Sequence, residues 1–161
     1  MPVLELDDGT QLVQTRAILS YIGAKYNLKP TDAMEDYRGQ VAECLYLDDY
    51  MAKIVPPLFA KEGREEKIKN IEEVIIPEFL KKFETLLSED RKFLCNDTLS
   101  IYDIGASGLF TNIILNPNSK DPEVWARVWE TVSPRIKKWV ADIQEELKDY
   151  FAKRAEQTCT M

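Results

Sequence analysis

The stretch from Leu99 to Ile114 constrains the fold more than any other part of the chain. It opens Leu99-Ser100-Ile101-Tyr102-Asp103-Ile104, in which Ser100 can cap a helix and Asp103, three residues on, can reach back to the Ser100 backbone N–H. Leu99 can staple against Ile104, and Asp103 stands where Glu or Gln is more usual. Gly105, Ala106, Gly108, Leu109, Phe110, Ile113 and Ile114 come next, so the helix is apolar nearly all round. Such a helix belongs at the centre of a bundle, with its glycines allowing neighbours to approach closely.

The flanking segments supply that bundle. Met34, Tyr37, Val41, Cys44, Leu45, Met51, Ala52 and Val55 mark a long helix stopped by Pro56-Pro57. Ile68, Ile71, Ile75, Phe79, Leu80, Phe83, Leu86 and Leu87 mark a second, with a bend at Pro77. Asp121-Pro122 and Ser133-Pro134 are cap-then-proline helix starts, leading into Val124, Val128 and Val132 and into Ile136, Val140, Ile143 and Leu147. The tail Gln157-Thr158-Cys159-Thr160-Met161 carries no pattern.

The first 30 residues read differently. Val3-Leu4-Glu5-Leu6 and Thr10-Gln11-Leu12-Val13 are short β-prone runs separated by Asp7-Asp8-Gly9, and Asp-Gly supplies the positive φ angles of a tight hairpin. Ile18, Leu19 and Ile22 then recur at helical spacing, which predicts a helix from about Thr15, as cap, to about Tyr26. Asn27-Leu28-Lys29-Pro30-Thr31-Asp32 breaks it and reads as a linker, with Thr31 or Asp32 free to cap the next helix.

Composition narrows the function. Among 161 residues, 45% are hydrophobic and 30% charged, the mixture of a chain that buries a core. A net charge of -7 with scattered lysines and arginines opposes nucleic acid and anionic membrane as partners. No stretch approaches the roughly 18 apolar residues of a membrane span, and Met1-Pro2-Val3-Leu4-Glu5 does not read as a leader, so a cytoplasmic protein is expected. Three cysteines, Cys44, Cys95 and Cys159, stand far apart without a single histidine, which excludes Cys/His zinc patterns and any Ser/His or Cys/His nucleophile within the chain. No metal site is expected.

A hairpin running straight into a helix start that bears Gln14-Thr15 aims free N–H groups, a hydroxyl and an amide at one point, where the helix dipole favours a carboxylate. The residues leave two readings open: a small-anion pocket, or a plain Thr15 cap beside an ordinary surface Gln14.

Pro2 before the strand, Asp8-Gly9, Gln14-Thr15-Arg16-Ala17-Ile18 at the helix start, a proline-containing linker, a long helix and the Ser100/Asp103 capping box come in a fixed order. In that order they resemble cytosolic glutathione transferases of the alpha, sigma or related classes over essentially the whole chain. The resemblance implies a mostly α fold: residues 1–29 form a remnant of a thioredoxin-like domain, strand-strand-helix, and residues 30–161 an all-helical C-terminal domain. It implies that Gln14 and Thr15 hold the γ-glutamyl carboxylate and amine of glutathione. Pro2 matches the family's cis-proline, and Met1 the residue whose backbone pairs with the cysteinyl part. Asp49 roughly matches an acidic residue that reaches across a dimer to the neighbour's glutathione, with Asp48 as rival and a solvated acidic face as the other reading. Tyr46, Tyr50, Tyr150 and Phe151 are candidates to line a pocket for a small apolar electrophile, or are simply core.

The implied function is conjugation of glutathione, as substrate, to small electrophiles in detoxification, or a sigma-type isomerisation, by a homodimer. In full-length members a βαβ segment precedes the position of Pro2 and carries the Tyr or Ser that stabilises the glutathione thiolate. This chain is expected to lack that segment, so no catalytic residue is assigned and little or no activity is expected of it alone. Residues 1–26 are then expected to persist only by packing on the helical domain. The alternative is a non-catalytic module for glutathione binding or protein association.

Overall fold

The computed structural model describes residues 2–154. Strands β1 (Val3–Glu5) and β2 (Gln11–Val13) pair antiparallel, Val3 opposite Val13 and Leu4 opposite Leu12. The loop between them is Asp7-Asp8-Gly9: Gly9 N donates to Leu6 O at 2.9 Å, and only Gly9 takes the positive φ, 83°. That is a three-residue loop with a left-handed glycine rather than a two-residue Asp-Gly turn. Leu4 and Leu12 are half-buried, whereas Val3 and Val13 on the other face are exposed.

Helix α1 (Thr15–Lys25) follows β2 directly, with Gln14 rather than Thr15 in the capping position. It ends where Leu28 N and Lys29 N both donate to Gly23 O, at 2.7 and 3.0 Å, with Asn27 left-handed at φ 57°. After the linker, the Asp32 side chain accepts from Met34 N and Glu35 N and opens α2 (Ala33–Cys44). A π-helical segment (Leu45–Met51) joins α2 to α3 (Ala52–Leu58).

The long rod therefore runs through Pro56 and Pro57 instead of stopping before them. Both sit in its last turn, where their fixed φ is already helical, and Phe59 N donates to Pro56 O at 3.2 Å to close the end. Its core face also differs from the expected stripe. Ala42, Leu45, Tyr50, Ile54 and Leu58 are buried, while Met34 and Tyr37 are exposed. The step from Leu45 to Tyr50 is five residues because the π-turn holds one residue more than an α-turn.

The second rod repeats this. Helices α4 (Arg64–Asn70) and α5 (Ile76–Glu84) are joined by a π-helical segment (Ile71–Ile75), and the buried positions step by five from Ile71 to Ile76. The irregularity expected at Pro77 is that wide turn, which ends just before the residue that lacks an N–H.

Helix α6 (Ile101–Leu109), continued by a third π-helical segment (Phe110–Ile114), is the centre of the bundle. The capping box is present as read: Ser100 Oγ accepts from Asp103 N, and Asp103 Oδ2 accepts from Ser100 N at 3.1 Å. Asp103, fully buried, also accepts from Leu94 N at 2.9 Å and from Trp139 Nε1 at 3.0 Å through Oδ1. Helices α7 (Pro122–Thr131), α8 (Pro134–Glu146) and α9 (Lys148–Lys153) complete the chain. Ser133 caps α8, but Asp121 leaves the α7 start uncapped because both its oxygens accept from the Arg64 guanidinium. An aromatic chain fills the middle, Tyr50 to Phe79 at 4.9 Å, Phe79 to Phe83 at 5.3 Å and Phe83 to Trp139 at 5.0 Å between centroids.

The glycine that allows close approach is not one of those on α6. A Cβ on Gly105 would meet nothing within 4 Å, whereas one on Gly39 of α2 would lie 2.0 Å from the Tyr102 ring. Tyr102 thereby packs flat on α2 and donates from its hydroxyl to Asp36 Oδ1 at 2.6 Å. The patternless tail from Gln157, including Cys159, lies outside the described residues, as does Met1.

Candidate functional site

The hairpin delivers the backbone to the start of α1 at Gln14, whose φ of 73° and ψ of 116° form a combination that a residue with a Cβ adopts only under strain. Ile18 N donates to Gln14 O at 3.0 Å, so the helix begins at once, and the first-turn N–H groups of Thr15, Arg16 and Ala17 precede any helical acceptor. No side chain caps this end and no acid lies in its first turn. Gln14 and Thr15 are both exposed. The structure therefore brings the two together at an open, positively polarised helix terminus, with Thr15 in the first helical position rather than acting as a cap.

Two sets of contacts hold α1 against the helical domain. At its C-terminal end, Ile101 N donates to Leu28 O at 2.8 Å, and Ile101 lies so near Gly23 that a Cβ there would be 3.1 Å from Cγ2. Lys29 Nζ donates to Ser20 Oγ at 3.0 Å and lies 3.7 Å from Asp36 Oδ1, the same oxygen that accepts from Tyr102. At its N-terminal end, Arg16 Nη2 lies 2.6 Å from Asp48 Oδ2 and Nε lies 4.0 Å from Glu43 Oε2. The Asp48 contact is an ion pair and not an aligned hydrogen bond, since Nη2 is buried without an acceptor along its N–H directions. Asp48 raises the Arg16 pKa, and burial raises that of Glu43 against the opposing pull of Arg16.

Arg16 is the site residue that the sequence pattern does not single out. A signal was present: a cation in the first turn sits against the positive end of the helix dipole, and such a position calls for a nearby acid.

The remaining candidates scatter. Pro2 is exposed at the foot of β1, and the Met1–Pro2 bond lies outside the described residues. Asp49 is exposed and lines a groove of about 440 Å³ with Tyr37, Val41, Cys44, Leu45 and Lys82. Tyr50 is core, 1% exposed and edge-on to Phe79. Tyr150 is exposed and touches Phe151 at 5.4 Å. Tyr46 is half-buried, and its hydroxyl lies 3.4 Å from where a Gly108 Cβ would stand; burial raises its pKa. Among the described residues no group of three or more His, Cys, Asp or Glu is placed to hold a metal ion, and no helix is long and apolar enough to cross a membrane.

Fold and site together define a thioredoxin-like remnant, hairpin plus helix, carried on an all-helical domain. Known proteins agree with this. The family described as "Glutathione S-transferase, C-terminal domain" matches residues 48–154. "Glutathione S-transferase alpha I" of Oryctolagus cuniculus is 32% identical over 127 residues, covering 78% of this chain and 55% of that protein. "Glutathione S-transferase A1" of Homo sapiens is 34% identical over 113 residues, covering 65% and 47%. The chain belongs to the glutathione S-transferase family.

Solved structures carry the fold further. The glutathione S-transferase from Ascaris lumbricoides superposes with a TM-score of 0.80 at 20% identity, covering 98% of this chain and 76% of that one. Prostaglandin synthase D of Nilaparvata lugens gives 0.73 at 21%, covering 96% and 74%. The chain spans about half the length of the sequence relatives it matches.

Proposed function

We propose that this chain binds the γ-glutamyl end of glutathione at the start of α1 and belongs to a transferase that conjugates glutathione to small apolar electrophiles. The observation that carries the reading is the strained Gln14 at an uncapped helix terminus in a chain of this family. Unsatisfied N–H groups and the helix dipole favour the γ-glutamyl carboxylate, and the Gln14 carboxamide and Thr15 hydroxyl supply neutral partners for it and for the adjacent amine. Met1 and Pro2 would take the cysteinyl backbone. In the reaction the thiolate sulfur bonds to an electrophilic carbon and the leaving group departs with the bonding pair.

Activation of that sulfur needs a donor or a positive charge close by, and no residue of this chain is assigned that role. The chain alone is therefore proposed to bind glutathione with little turnover, the thiolate-stabilising hydroxyl being expected in the length of the relatives that this chain does not match. The working form is proposed to be a cytoplasmic homodimer. Exposed Met34 and Tyr37 on α2, beside the groove that holds Asp49, suit burial against a second copy, and from there Asp49 would reach the partner's ligand.

Isothermal titration with millimolar glutathione tests the site. Heat is expected with the wild-type chain and a weaker response with Gln14→Ala. No heat, and no effect of the substitution, would remove the glutathione reading and leave a family member used for protein association.

A further inference from the structure

We infer that Arg16 is a positioning residue for this half-site: its ion pairs to Asp48 and Glu43 hold the ligand end of α1 at the angle that presents Gln14 and Thr15. The inference rests on the glutathione reading for its ligand, but its structural basis is independent of it.

Three observations support it. The start of α1 lacks a side-chain cap, and the hairpin before it buries only part of one face, Leu4, Leu6 and Leu12 being half-buried and Val3 and Val13 exposed. The hydrogen bond that ties this segment to the helical domain, Ile101 N to Leu28 O, lies beyond the other end of α1, and Leu19 and Gly23 add apolar contacts along the helix. In the first turn Arg16 ion-pairs with the first rod, at 2.6 Å from Asp48 and 4.0 Å from Glu43. A cation at this place opposes the helix dipole, so its presence weakens α1 taken by itself. Docking offsets that cost. Both acids lie where the first rod passes from α2 into its π-turn, so the irregularity in the rod sets where the guanidinium lands.

The side chains of Arg16 and Asp48 are 41% and 57% exposed, which makes the pair a minor contributor to global stability. Its effect falls on the placement of Gln14 and Thr15. Arg16→Gln is expected to weaken glutathione binding about three- to fivefold, the upper range of what one exposed ion pair supplies. Asp48→Asn is expected to weaken it by a similar factor, and the double variant by no more than either alone. Added salt should weaken binding in the wild type and leave it nearly unchanged in Arg16→Gln.

The Asp48→Asn result separates the possibilities by sign. If the guanidinium instead touched the ligand carboxylate directly, removing its internal competitor would tighten binding. If Arg16 were a bystander, Arg16→Gln would change nothing, and any weakening by Asp48→Asn would persist undiminished in the Arg16→Gln background, as expected if Asp48 itself reached a neighbour's glutathione. Either outcome overturns the inference.

Hydrogen exchange provides a readout without ligand. Arg16→Gln should lose protection across residues 18–22 while residues 136–143 in α8 keep theirs. Unchanged or increased protection, as expected from merely relieving the dipole, would also overturn it. Should wild-type protein fail to bind glutathione while the exchange result holds, the ligand assignment falls and the positioning role of Arg16 stands.

Discussion

Replacement of Asp103 separates the two things a buried carboxylate can do, carry charge or accept hydrogen bonds. Burial raises its pKa, yet it accepts from three N–H groups, Leu94 N and Trp139 Nε1 through one oxygen and Ser100 N through the other, which also accepts from the Ser100 hydroxyl. The three N–H donors belong to residues no more than 2% exposed, whereas the Ser100 hydroxyl also has Cys95 Sγ at 3.6 Å. Asp103→Ala leaves all three without a partner. At about 1–3 kcal/mol for each orphaned buried donor, and with partial relief from no longer burying a charge, the expected loss is about 3–6 kcal/mol. Against a total of about 5–15 kcal/mol for a domain, this removes most of the stability.

Asp103→Asn keeps the volume. Its carbonyl can continue to serve Leu94 and Trp139, and its NH₂ can turn toward a rotated Ser100 hydroxyl, so one donor, Ser100 N, is orphaned. The expected loss is about 1–3 kcal/mol. Urea unfolding followed by tryptophan fluorescence reads both, with Trp139 at the site as reporter. Equal losses for Asn and Ala, or losses below about 1 kcal/mol for both, would refute the reasoning.

Gln14→Gly should stabilise the fold by about 1 kcal/mol, since glycine adopts φ near 73° without strain, while removing the carboxamide and weakening glutathione binding; thermal unfolding and titration calorimetry on the same variant check both halves. Hydrogen bonding to Arg64 holds the Asp121 carboxyl below its ordinary value. A depressed carboxylate contributes stability that is complete above its unfolded pKa, about 4, and is lost as pH falls through the lower folded value. The melting temperature of wild type should therefore fall more steeply below about pH 4 than that of Asp121→Asn, as an acid titration of Tm would show.

The parts of this fold legible in the sequence are those decided within a few residues. Ser100, Asp103, Asp32 and Ser133 act on backbone groups two or three positions away, and each does what its position indicates. Asp121 has the same local pattern, but a guanidinium 57 residues distant takes its oxygens, and no local rule registers that competitor. The two long rods were legible as helices and not as faces. A five-residue step at Leu45 to Tyr50, and again at Ile71 to Ile76, shifts the core side by one position beyond it, and before the first step α2 buries its face of Gly39, Ala42 and Leu45, which leaves Met34 and Tyr37 outside.

The candidate site divides along the same line. The place of Gln14 and Thr15 at a helix start was readable because the hairpin and the apolar spacing that follow one another there are local signals. Arg16 was not, because its meaning lies in Asp48 and Glu43, and their positions depend on a π-turn that the 3.6-residue stripe does not reveal. The same reasoning predicts where the site is sensitive to distant change. Substitutions in the α2–α3 rod that restore regular α-helix at 45–51 would rotate Asp48, midway along the segment, by part of the about 100° that one α-helical residue spans, and break the Arg16 contact without altering Gln14 or Thr15.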